Sequence, residues 1–158
     1  MADELDRVRL GPATEKDREF VRVLSARVFS RFGDYDRTLP CWMGLPDVET
    51  LIARVNGEPI GFTMLGPKPL EPGVTELLAI AVVPDWQSRG VGALLLAGSE
   101  ERARASARGR GRPILVATVA EDNDAARGLF RRHGFVELHD DDGRYPGGQR
   151  SFNVRKCI

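Results

Sequence analysis

Seven consecutive residues, Leu77-Leu78-Ala79-Ile80-Ala81-Val82-Val83, carry no polar side chain, and Pro84 stops the run. A strand with one face in water alternates polar and apolar residues. A continuous apolar run of strand length belongs to a strand covered on both faces. Such a strand needs packed layers above and below it, which predicts an α/β sheet flanked by helices. Ile114–Val119 reads as a second buried strand of the same kind.

The rest of the chain supplies the flanking elements. Val8 and Leu10, followed by Pro12, predict a short first strand. Thr14-x-x-Asp17 resembles a capping box with Asp in place of Glu, and Phe20, Val21, Leu24, Val28 and Phe29 then recur at helical spacing. That helix is expected to end near Gly33. The segment Gly33–Pro46, with two Pro and two Gly, reads as a long, partly ordered connection, with Asp47 capping a brief helical turn. Leu51–Val55 and Ile60–Leu65 flank Asn56-Gly57, a strong hairpin signal because both residues tolerate positive φ. Val91, Leu94, Leu95 and Leu96 open a helix at Gly90, which the tail Arg108–Pro113 closes with cations at the negative end of its dipole. Asn123–His133 reads as a helix ended by Gly134. Phe135–Leu138 and Ser151–Val154 read as two last strands around a polar loop. The order is β-α-β-β-β-α-β-α-β-β, one domain over residues 1–158.

Charge narrows the partners. Basic and acidic residues balance at 23 each, so no nucleic-acid or membrane partner is expected. The arginines from Arg102 to Arg112 follow Glu100 and Glu101 and read as a solvated helix end. Cys41 and Cys157, the only cysteines, suit a reducing cytoplasm better than a disulfide framework. The first residues lack the apolar core of a signal peptide, and no apolar stretch is long enough to span a bilayer. A cytoplasmic location follows as the expectation. No Cys/His cluster has metal spacing, so no metal is expected, and neither cysteine lies in a nucleophile motif.

The junction after the buried strand carries the chemistry. Gln87-Ser88-Arg89-Gly90-Val91-Gly92 leads straight into a helix, whose first turn offers unpaired N–H groups and a positive dipole end. Gly90 and Gly92 let a phosphate approach the backbone, and Arg89 can add a charge. Gly-x-Gly alone also suits a helix start that needs small residues for packing. The string is neither a Walker loop nor a Gly-x-Gly-x-x-Gly dinucleotide turn.

Gln87-x-x-Gly90-x-Gly92, three residues after Pro84, resembles the acyl-CoA signature of the GNAT-type N-acetyltransferases. Asn123-x-x-Ala126-x-x-Leu129-Phe130-x-x-x-Gly134-Phe135 resembles that family's second signature, in the right order and separation. The resemblance extends along nearly the whole chain, weakly before Leu51. It implies a mixed, largely antiparallel central sheet with flanking helices, and acetyl-CoA as co-substrate. The strands around Ile80 and Leu115 would splay apart with the pantetheine arm between them, and the backbone of Ile80, Ala81 and Val82 would pair with it. Gln87, Ser88, Arg89, Gly90, Val91 and Gly92 would hold the pyrophosphate. Asn123, Ala126, Arg127 and Phe130 share one helix face; of these Asn123, Ala126 and Phe130 are the expected cofactor contacts. Asn123, or Asp122, could instead cap the helix.

Acetyl transfer to an amine needs a base, a stabilised oxyanion and a departing thiolate. Glu76, eleven residues before Gln87, stands where many family members place a glutamate base; it could also be a solvated strand-end carboxylate. The oxyanion donor would be a backbone N–H near Ile80. Phe130 departs from the family, which often has a proton-donating Tyr there. Water or Tyr145 could serve instead, and His133 would complement the helix dipole.

The resemblance places a primary-amine acceptor between Phe29–Met43 and His139–Gln149. Phe32, Tyr35, Trp42 and Tyr145 are the candidate binding residues. With Asp34, Asp36, Asp140, Asp141 and Asp142 they would suit a cationic amine; a solvated turn and core aromatics are the plainer alternative. A catalytically idle acyl-CoA sensor of the same fold stays open, as does a homodimer paired through edge strands.

Overall fold

The computed structural model describes residues 2–107, 111–139 and 142–158. After a single helical turn, Ala2–Leu5 (α1), come strand β1 (Arg9–Pro12) and two helices, α2 (Arg18–Phe29) and α3 (Tyr35–Trp42). Strands β2 (Glu49–Val55), β3 (Glu58–Pro67) and β4 (Val74–Val82) follow, then α4 (Val91–Ser106), β5 (Ile114–Ala120), α5 (Asp124–Arg132), β6 (Val136–Leu138) and β7 (Ser151–Cys157). The seven strands form one sheet in the order β1-β2-β3-β4-β5-β7-β6. Every neighbouring pair is antiparallel except β4 and β5, which are parallel. The expected mixed, largely antiparallel sheet is therefore present. The tail residues Arg108, Gly109 and Arg110 lie outside the described residues. No helix among the described residues is long and apolar enough to cross a membrane.

Local chemistry explains the element starts. The Thr14 N–H donates to Asp17 Oδ2 at 2.8 Å, and the other Asp17 oxygen accepts from Arg54 on β2, so the cap also ties the helical layer to the sheet. Asn56 (φ 49°) and Gly57 (φ 80°) both turn left-handed and close the β2–β3 hairpin as their residue types require.

The stretch expected as a loose connection contains α3 instead. Pro40 removes one backbone bond within it, which normally costs about 3 kcal/mol in a helix interior. Leu39, with no exposed surface, packs with Val21 and Leu24 of α2, and burying one such side chain offsets ~1.5–3 kcal/mol. Arg18 on α2 adds a hydrogen bond to the Pro40 carbonyl. The expected helical turn after Asp47 is absent; Val48 N–H closes an ordinary turn onto Leu45.

Helices α2 and α3 cover one face of the sheet, where Val21, Leu24 and Leu39 meet Ile52, Phe62, Met64, Ala79 and Ala81. Helix α4 covers the other, where Leu96 and Ala103 pack with Leu77, Leu115 and Phe130 of α5. Leu77 and Ala79 thus face opposite layers, although strand alternation would put them on the same side. The pairing explains it: Met64 pairs with Ala79 but Leu65 with Leu77, which leaves Leu78 as a bulge. One extra residue swaps the faces from that point on. Alternation on either side of the bulge spreads the apolar run Leu77–Val83 over both covered faces.

Candidate active site

The sheet opens beside this bulge. β4 pairs with β5 only from Val74 to Leu77, opposite Ile114 to Ala117. Beyond Ala117, β5 continues beside β7, while Leu78–Val82 has no strand partner on that side among the described residues. Leu115 lies in the paired part, so the split begins two residues later than the sequence suggested, at Ala117. The Val83 N–H donates to Ile60 in β3, so alternation turns Ala81 and Ala79 toward β3 as well. The backbone N–H and C=O groups of Ile80 and Val82 face the open side.

A cavity of about 240 Å³ occupies the split. Its walls include Glu76, Leu78 and Ile80 of β4, Thr118 and Val119 of β5, and Asn123, Ala126 and Phe130 from the start and body of α5. Phe29, Phe32, Tyr35, Leu39 and Trp42 from α2, α3 and their junction complete it, together with Arg144 and Tyr145 from the β6–β7 connection. Helices α3 and α5 lie on opposite faces of the sheet, so the cavity passes through the sheet at its split. Glu76 and all four expected acceptor residues, Phe32, Tyr35, Trp42 and Tyr145, meet there. Asp34, Asp36 and Asp142 do not line it, and Asp140 and Asp141 lie outside the described residues. Sequence patterning did not single out Leu78 or Arg144; a bulge leaves no compositional mark, and Arg144 sits in a polar loop.

The turn at the head of α4 lies beyond the open end of β4. Gln87, Ser88, Arg89 and Gly90 are exposed, with Ser88 (φ 62°) and Gly90 (φ 91°) both left-handed. A helix's first N–H groups have no acceptor within it, so those of Val91 and Gly92 point outward from the turn. Gly90 is therefore required by conformation. Gly92 is under no such constraint, since a Cβ there would meet Leu129 of α5 at an ordinary contact distance of 3.5 Å. Gln87 does not reach outward; its Nε2 donates to the Val82 carbonyl at 3.0 Å, bracing the turn against the free strand edge. Arg89 stacks over Trp86 at 4.9 Å and pairs with Glu4 of α1 at 2.7 Å.

On α5, Asn123 is the helix cap, its Oδ1 accepting from the Ala126 N–H at 3.2 Å. Its Nδ2 has no protein acceptor among the described residues, so one end caps and the other remains free at the cavity wall. Arg127 turns away, making a forked pair with Glu137 at 3.0 and 3.1 Å and stacking on Phe152 at 5.0 Å. Phe130 is buried, edge-on to Phe135 at 5.1 Å. His133 Nδ1 lies 2.8 Å from the Leu129 carbonyl, the dipole-complementing place expected of it.

Two phenols, those of Tyr35 and Tyr145, line the cavity. The Tyr145 hydroxyl donates to the Thr118 carbonyl at 3.0 Å, and its ring packs on Phe32 at 4.8 Å and Tyr35 at 6.3 Å. Burial, with a smaller effect from Tyr35, pushes the Tyr145 phenol up to about 12. Burial also raises Tyr35. Glu76, half-buried on β4, has no hydrogen-bond or ion-pair partner among the described residues.

The sequence profile described as the Acetyltransferase (GNAT) family matches residues 18–135. No curated protein sequence matches the chain. Among solved structures, a GNAT-family protein from Desulfovibrio desulfuricans superposes with a TM-score of 0.82 at 21% identity, covering 95% of this chain and 98% of that one. A ribosomal-protein-alanine N-acetyltransferase from Brucella melitensis gives 0.77 at 22% identity, covering 95% and 99%. The Salmonella typhimurium protein yncA, solved with its cofactor acetyl-CoA, gives 0.74 at 18% identity, covering 96% and 94%. At these identities the superpositions speak for the fold, and the sequence profile speaks for the lineage. With the split sheet, the exposed turn at the head of α4 and the profile over residues 18–135, the chain belongs to the GNAT family of acetyltransferases.

Proposed function

We propose that the protein transfers an acetyl group from acetyl-CoA to a primary amine by direct attack, with Glu76 as the base. The observation that carries this is the single cavity through the split sheet, which joins Glu76 to α5 on one face and the aromatic wall of α2 and α3 on the other. The open edge of Ile80 and Val82 fits the amides of a pantetheine arm, and the outward N–H groups of the α4 turn fit a pyrophosphate. Arg89 adds charge there. Asn123 offers its free Nδ2 to the arm, while Ala126 and Phe130 shape the slot.

When bound, acetyl-CoA supplies an activated acetyl thioester. Glu76 removes a proton from the acceptor ammonium, directly or through water. The backbone N–H of Ile80, on the open edge, faces the growing negative charge on the carbonyl oxygen. Phe130 has no proton to give, and that of Tyr145 is held by Thr118. In this reading the sulfur departs as the thiolate, which the ordinary thiol pKa of about 8.5 permits, and solvent protonates it and takes the second proton of the attacking nitrogen.

An acceptor screen with acetyl-CoA, reading free thiol release, tests this, alongside a calorimetric titration of acetyl-CoA. Binding plus turnover supports it. Tight binding with no turnover on any amine would favour the idle acyl-CoA sensor, and no binding would remove both.

A further inference from the structure

The polar content of the cavity is sparse and of a particular kind. Its charged lining residues among those described are Glu76 and Arg144. Nearby Arg31 is already satisfied, paired with Asp122 at 3.0 Å and stacked over Phe32 at 4.1 Å. Arg144 is not: its Nη1 donates to the Gly148 carbonyl at 3.0 Å, and no carboxylate among the described residues pairs with it. A guanidinium presents five donors in a fixed fork, so Nη2 and Nε remain for a planar anion. Around these two charges the wall is largely aromatic, with Phe29, Phe32, Tyr35, Trp42 and Tyr145.

Taking the acetyl-transfer function above as given, we infer that the acceptor is a free α-amino acid with an apolar side chain, its carboxylate held by Arg144 and its ammonium directed to Glu76. Each part of the molecule has a counterpart. The carboxylate meets a charge-assisted, two-pronged donor. The ammonium meets the Glu76 carboxylate, and the side chain meets the aromatic wall. The volume of about 240 Å³ lies below the ~300–1,000 Å³ of pockets that take drug-sized ligands, and part of it receives the thioester end. Polyamines and other polycations would bring a second positive charge against Arg144, a repulsive selection against them. Peptide N-termini lack the adjacent carboxylate and would leave the fork without its partner.

The test compares L-phenylalanine, L-phenylalaninamide and phenethylamine as acceptors at saturating acetyl-CoA, with kcat/KM expressed per unprotonated amine. The amino acid should exceed both others by about tenfold or more, chiefly through KM. In Arg144→Gln that ratio should fall to within about twofold, with Arg144→Lys keeping part of it. Calorimetry should show L-phenylalanine binding the wild type and losing about tenfold in affinity in Arg144→Gln. Equal use of the three acceptors, a ratio unmoved by Arg144→Gln, or preference for a peptide or polyamine would overturn the assignment while leaving acetyl transfer intact. Failure of the wild type to bind acetyl-CoA, measured with no acceptor present, would instead overturn the acetyl-transfer function and this assignment with it.

Discussion

The Tyr145 hydroxyl donates to the Thr118 carbonyl at 3.0 Å, where β5 has just left β4. This bond fastens the β6–β7 connection across the open side of the split sheet. It also commits the phenolic proton that Tyr145 could have offered in place of the tyrosine missing at Phe130. Tyr145→Phe keeps the ring against Phe32 and removes only the bond. Stability should drop by about 0.5–1.5 kcal/mol, the net worth of one hydrogen bond, and turnover should change by less than about threefold. A fall of a hundredfold in kcat with intact folding would make Tyr145 the acid after all. Chemical denaturation and steady-state rates read the two effects separately.

Glu76 is the carboxylate of the cavity wall, on the strand that also presents Ile80. Glu76→Gln should lower kcat by on the order of 10²-fold, the lower end for a positioned base. The pH optimum should move upward, because the amine must then lose its proton unaided. Acetyl-CoA affinity should stay near the wild-type value. An unchanged pH–rate profile would remove Glu76 from the base role.

What could be foreseen from the residues alone depended on whether local chemistry or tertiary pairing decided the outcome. Asn56-Gly57, Gly90 and the helical spacing of Phe20 to Phe29 are local, and the structure follows them. Helix α3 runs through Pro40 because burial of Leu39 outweighs a local preference, and propensity does not carry that information. The Leu78 bulge and the parting of β4 from β5 at Ala117 are relations between strands, invisible in either strand alone. Its residue type lets Asn123 either cap a helix or reach a ligand; its Oδ1 caps, and its Nδ2 has no acceptor among the described residues. Arg144 escaped notice because an arginine in a polar loop is ordinary until the fold brings it to a cavity.

Gly90 holds φ 91° at the head of α4, and a Cβ added there would come within 3.1 Å of Leu5 Cδ2. Gly90→Ala should therefore destabilise by about 1–2 kcal/mol, the left-handed cost for an L-residue. Gly90→Glu adds a negative charge where a pyrophosphate is proposed to sit, and should abolish acetyl-CoA binding in calorimetry. Retained affinity in that variant would contradict the phosphate role of the turn.

Glu4 reaches across from α1 to pair with Arg89 at 2.7 Å, on the exposed surface of the same turn. A phosphate and the Glu4 carboxylate would compete for one guanidinium. Glu4→Gln should then tighten acetyl-CoA binding by a few-fold at low salt, and the gain should shrink toward 0.5 M salt as screening weakens the pair. The same affinity for both proteins at low salt would mean that Arg89 serves the ligand without giving up Glu4.

Glu137 on β6 gathers Arg127 at 3.0 Å, Arg131 at 3.4 Å and His139 at 3.3 Å. The hydrogen bonds from Arg127, reinforced by those from His139 and by the charges of both arginines, hold its carboxyl down to about 2, against the opposing effect of burial. A carboxyl depressed in the folded state contributes stability above its unfolded pKa, about 4.3, and loses it as pH falls toward the folded value. Glu137→Gln should thus cost about 1–2 kcal/mol at pH 7, and the gap to wild type should close between about pH 4.5 and pH 2. Because Arg127 is the anchor of α5 to β6, and α5 carries Asn123, Ala126 and Phe130, the variant should also weaken acetyl-CoA binding. Urea unfolding across that pH range measures the first effect and calorimetry at pH 7 the second. A gap that persisted undiminished near pH 2 would show that packing, not this ion cluster, fixes α5 at the cavity.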